Sequence, residues 1–135
     1  MKINTDQLIG SALDWAVGHA NGWITYPTDS IERGSVFHTD SSVAPFGRTI
    51  DVAEWKPSTN PAQAWPIIER ERLNFLDNGD SISAYYSRGR TVCQRWGGPT
   101  HLVAAMRCYI ASKLGDEVDV PNNTIGDMLL RINQR

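Results

Sequence analysis

The residues best equipped for chemistry fall in one stretch of the 135-residue chain: Arg88, Arg90, Arg95, Trp96, Gly97, Gly98, Thr100 and His101. The three arginines lie within eight positions and carry planar donor forks that suit phosphate or carboxylate. Trp96 offers a face on which a nucleobase can stack, with Trp65, Tyr85 or Tyr86 as further stacking candidates. Gly97 and Gly98 permit close backbone approach. The helix signal after Thr100 supplies free N–H groups and a partial positive charge that favour an anion. These types in this order suit an anionic nucleotide-type small molecule, such as a cyclic nucleotide or an ADP-ribose-type compound. The same residues also read as a tight turn into a helix with Trp96 plugging a core, since most helix N-termini bind nothing. The stretch is not a phosphate-binding P-loop, whose lysine and Ser/Thr it lacks.

The helix that must position this group is the clearest in the chain. Leu102, Val103, Met106, Tyr109, Ile110 and Leu114 recur at steps of one, three and four, which places them on one broad face. Thr100 is the expected N-cap and His101 the first helical residue. Lys113 suits the last turn, and Gly115 suits a left-handed C-terminal position. Upstream, the segments 73–76 and 81–87 are β-prone and flank Asp77-Asn78-Gly79-Asp80, a hairpin turn signal. Residues 91–96 complete the meander and lead into the helix. The expected fold class is α+β, with an antiparallel meander of about three strands covered by helices.

The remaining elements are less regular. A first helix is expected from a cap at Asn4 or Thr5, with Leu8, Ile9, Ala12, Leu13, Ala16 and Ala20 as its apolar stripe and Trp15 beside it. A short strand at Trp23–Tyr26 should end at Pro27. Residues 27–59 read as a long irregular loop, with one short strand at 48–52. Asn60 caps a second helix with Pro61 at its first position, and Pro66 predicts a kink or two short pieces. Residues 117–120 suit an edge strand. A short helix at 124–133 either docks on its own domain or mediates dimerisation, so a homo-oligomer stays open.

Length and composition point to a single domain, 1–135, with a real core. A net charge of −2 argues against a duplex nucleic acid partner, which calls for a basic excess. Cys93 and Cys108 form no CxxC pair, and His19, His38 and His101 show no ligand spacing, so no metal or cofactor is expected. No apolar run reaches the length of a membrane span and the first residues carry no signal core, which places the protein in a cytoplasm. Ser, His and Asp are present, but no G-x-S-x-G or H-E-x-x-H motif gathers them, and no enzyme activity is expected.

Three blocks carry a family resemblance. They are Leu13-Asp14-Trp15-Ala16-Val17, Pro66-Ile67-Ile68-Glu69-Arg70-Glu71, and Gly98-Pro99-Thr100-x-Leu102-x-Ala104-Ala105-Met106-Arg107 with Ala111-Ser112-Lys113-Leu114-Gly115-Asp116-Glu117-Val118. Together they resemble the NinX-like proteins of lambdoid and related bacteriophages over most of residues 5–121. A weaker similarity reaches small phage domains described as an α-β-α sandwich. The resemblance implies a phage accessory protein working in a bacterial cytoplasm, and it transfers no catalytic residue. His101 stands where that pattern leads one to expect proline. In a phage setting, the nucleotide-type site implies sequestration of a host immune messenger. The alternative is an interaction factor that binds a host or phage protein through the 27–59 loop.

Overall fold

The computed structural model describes residues 2–27, 35–38, 49–51, 54–86 and 95–120. Its centre is α3 (His101–Leu114), in which every residue from Val103 to Ile110 is buried. A helix enclosed on all sides belongs in the middle of a core, and α3 touches a sheet on one flank and two helices on others. The expected single apolar face is therefore too narrow a description, because Ala104, Ala105, Arg107 and Cys108 are buried as well. The Thr100 hydroxyl accepts from the Val103 N–H at 3.2 Å, as a helix cap should. Gly115 ends the helix at φ 92° and ψ −164°, a positive-φ conformation outside the left-handed helical region.

The sheet against α3 is an antiparallel meander of β5 (Leu73–Asp77), β6 (Ile82–Tyr86) and β7 (Trp96–Gly98). Asn78 donates its N–H to the Ser81 carbonyl at 2.9 Å, and Gly79 takes φ 94°, so the Asn-Gly signal makes the turn. Register places Ala84 opposite both Phe75 and Trp96. Residues 91–94, expected to begin the third strand, lie outside the described residues.

The N-terminus departs from expectation. Residues Thr5–Gln7 form a short 3-10 helix, and α1 (Gly10–Ala20) starts later, after Ile9. Thr5 does not cap a helix because its hydroxyl donates to the Gly115 carbonyl at 2.7 Å and its N–H to the Asp116 carbonyl at 2.7 Å. These bonds align β1 (Lys2–Asn4) with β8 (Glu117–Asp119), where buried Ile3 opposes buried Val118. Trp15 is buried in α1, and Asp14 on the same helix accepts the Ser58 N–H at 2.8 Å.

Within 27–59, expected to be irregular apart from one strand, the backbone pairs. β2 (Ile24–Pro27), β3 (Ser35–His38) and β4 (Thr49–Asp51) form a second antiparallel sheet in that order. Ladder bonds between neighbouring strands supply regularity that four- and three-residue strands do not show as periodicity. The rest of 28–53 and the expected helix at 124–133 lie outside the described residues.

Helix α2 (Pro61–Glu71) is one continuous segment, not two pieces. Asn60 accepts from the Ala62 N–H at 3.0 Å and Pro61 occupies the first position. Pro66 and Ala62, four residues earlier, are both exposed, so the carbonyl that proline leaves without a donor can bond water. Arg72 then takes a left-handed conformation (φ 54°, ψ 50°) that turns the chain into β5.

A polar seam joins α2, β6 and α3. The Tyr86 hydroxyl donates to Glu71 Oε1 at 3.0 Å and lies 2.9 Å from Ser112 Oγ. Arg70 donates to the Tyr109 hydroxyl at 3.0 Å, which donates to Asn21 Oδ1 at 2.6 Å. Burial raises the pKa of both tyrosines above 10.0, and the Glu71 carboxylate adds to the rise. A phenol whose folded pKa exceeds its unfolded value contributes stability that is complete below the unfolded pKa and is lost as pH climbs through the folded one. Stability should therefore hold level up to about pH 10 and fall above it. In a spectrophotometric titration of native protein, Tyr86→Phe should remove a late-ionising phenol. A late step of undiminished amplitude in that variant would contradict the assignment.

Candidate functional site

Of the eight candidate residues, six are described and three of those share a cleft. Arg88 and Arg90 lie outside the described residues. Arg95, Trp96 and Gly97 line one cleft of about 440 Å³, whose other walls are Asn4, Asp6 and Asp116. Gly98, Thr100 and His101 are not in that lining.

Each placement has a local cause. β7 is an edge strand of its sheet, with Gly97 opposite Ser83 and Gly98 opposite Ile82. Trp96 is half-buried, packed against the core while also lining the cleft. Arg95 is exposed, and its guanidinium sits 5.8 Å from the centroid of the Tyr85 ring, a cation–π contact that orients it. Among the described residues no carboxylate pairs with it.

The neighbouring candidates serve the fold. Gly98 is buried, and a Cβ there would stand 2.8 Å from the Ala104 backbone nitrogen. Its lack of a side chain lets β7 approach α3. Thr100 uses its hydroxyl to cap α3. His101 is exposed and meets Phe75 edge-on, with ring centroids 5.1 Å apart. These helix-mouth residues thus do not line the cleft that holds Trp96.

Four contributors went unread in the sequence. Asn4, Asp6 and Asp116 line the cleft because the β1–β8 pairing brings the first residues beside the turn after α3. The fourth is Arg107, buried in α3. Its Nε donates to the Leu8 carbonyl and its Nη1 to the Gly97 carbonyl, each at 2.9 Å. One guanidinium thereby ties the cleft's Gly97 wall to the segment that follows Asp6. An arginine in the middle of an apolar helix was the only available signal for it.

Comparison with known proteins adds a decisive observation. The family model described as Bacteriophage P22, NinX matches residues 4–113, most of the chain. The chain belongs to that family. This NinX-family protein is accordingly a phage accessory protein. The match takes in Asn4, Asp6, Arg95, Trp96, Gly97 and Arg107, and ends short of Asp116. No curated protein matches the chain. Among the described residues no helix is long and apolar enough to cross a membrane.

Proposed function

We propose that this NinX-family protein binds a small nucleotide-type ligand without catalysing a reaction, and that it sequesters a signalling nucleotide of the host. The observation that supports this reading is the pairing of a half-buried Trp96 with an exposed Arg95 in one cleft. A volume of about 440 Å³ falls within the range of small-ligand sites. Trp96 stacks the base, and Arg95 takes the phosphate through two parallel N–H donors.

Titration calorimetry with nucleoside monophosphates tests the proposal. Trp96→Ala and Arg95→Ala should each weaken binding by about tenfold or more, since stacking and charge-assisted bonds are each worth on the order of 1–3 kcal/mol. Circular dichroism confirms that both variants are folded. Unchanged affinity in both would move the ligand elsewhere.

A second reading, protein interaction, draws on the exposure of Trp65 on α2, which is 58% accessible. Large aromatics are enriched at protein interfaces. The 27–59 segment expected to carry such an interface lies largely outside the described residues. Failure of every nucleotide to bind would favour this second reading.

A further inference from the structure

Resting on the reading of the cleft as a nucleotide site, we infer that it selects guanine. The cleft lining is mixed in a way a plain anion site is not. Among the described residues, Asp6 and Asp116 contribute two carboxylates to the lining against one cation, Arg95. A polyphosphate lying along the whole cleft would be repelled by them, and a simple cation would be repelled by Arg95. The ligand that suits all of the lining has an anionic end, an aromatic face and an edge rich in hydrogen-bond donors.

Carboxylates in their charged form only accept hydrogen bonds, whereas an amide can also donate. Asn4 occupies the capping position of the 3-10 helix but makes no side-chain capping bond, so its amide remains available to the cleft it lines. Asp6 and Asp116 pair with no cation among the described residues. Nor do they belong to a metal-binding group, for no cluster of three or more His, Cys, Asp or Glu suited to a metal exists among those residues. Among the described residues, the lining thus holds one amide and two carboxylates beside Trp96.

Guanine is the base whose pairing edge matches. Its N1–H and exocyclic amino group donate side by side to a carboxylate, and its O6 accepts from an amide N–H. Adenine has one donor on that edge and turns the lone pair of N1 toward the carboxylates. Cytosine has one donor beside two acceptors, and uracil one donor between two acceptors. Bases held on an aromatic face and read along the pairing edge are a general mode of recognition.

The test is calorimetric titration of the full chain with GMP, IMP, AMP, CMP and UMP. GMP should bind about tenfold or more tightly than AMP, and IMP, which lacks the exocyclic amino group, should fall between them. Asp6→Asn and Asp116→Asn keep the side-chain shape and remove the charge. At least one of them should erase the preference for GMP over AMP, weakening GMP binding and relieving the repulsion of adenine N1. Equal affinity for GMP and AMP, with both lost in Trp96→Ala, would overturn guanine selection and leave the nucleotide site standing. No binding of any of the five would overturn both.

Discussion

Gly98→Ala should destabilise the protein by about 1–3 kcal/mol, the usual cost of forcing a methyl group into a packed interior. The added Cβ would lie 2.8 Å from the Ala104 nitrogen, 3.2 Å from its Cα and 3.0 Å from Val103 Cγ1. The first two atoms are helix backbone and cannot swing aside. Ala104 N–H also bonds the Thr100 carbonyl at 3.0 Å in the first turn of α3, so relief must come from moving β7 outward. That motion would carry Trp96 and Gly97 with it. Gly97→Ala is the control, because a Cβ there meets nothing closer than the Ile82 carbonyl oxygen at 3.8 Å. Its effect should stay within about 0.5 kcal/mol. Thermal melts of the two variants compare them directly, and equal midpoints would refute the packing argument.

Arg107→Met should be at least as costly, on the order of 2–4 kcal/mol. The arginine is 7% exposed and holds the Leu8 and Gly97 carbonyls, which lie 99 and 10 residues away in sequence. Methionine fills much of the volume but donates nothing, so carbonyls that had a charged donor lose it. Lysine keeps the charge but has no planar fork, so Arg107→Lys should recover only part of the loss. Urea denaturation gives the stabilities. Ligand affinity should fall beyond any folding defect, because Gly97 and the segment after Asp6 would no longer be tied together. A Met variant as stable as the parent would show that the bridge contributes nothing.

Sequence legibility followed the range of the interactions. The hairpin turn at Asn78-Gly79, the caps Asn60 and Thr100, Pro61 at the start of α2 and the family blocks were all readable. Each depends on residues within a few positions of one another, as in the Ala62 N–H to Asn60 and Val103 N–H to Thr100 bonds. Pro66 pointed to a kink or two short pieces, and α2 is one continuous helix. Whether the freed carbonyl can reach water depends on which side of α2 faces out, and packing decides that.

The candidate site divides in the same way. Arg95, Trp96 and Gly97 could be named from their types and adjacency, since consecutive residues ahead of a helix remain neighbours in any fold. Gly98 could not be distinguished from Gly97, although one packs under Ala104 and the other lines the cleft. Thr5 reads as a helix cap by composition, yet its hydroxyl reaches Gly115 across 110 residues. From that closure come the placements of Asn4, Asp6 and Asp116, and with them the polarity of the cleft. By itself, then, the sequence determined the presence of the three described α-helices, the meander, the family and three of the described cleft residues, because those follow from short-range backbone preferences and periodic burial. Only the tertiary structure decided which acidic residues line the cleft with Trp96 and which arginine joins the walls, because contacts between distant residues exist only once the core has formed.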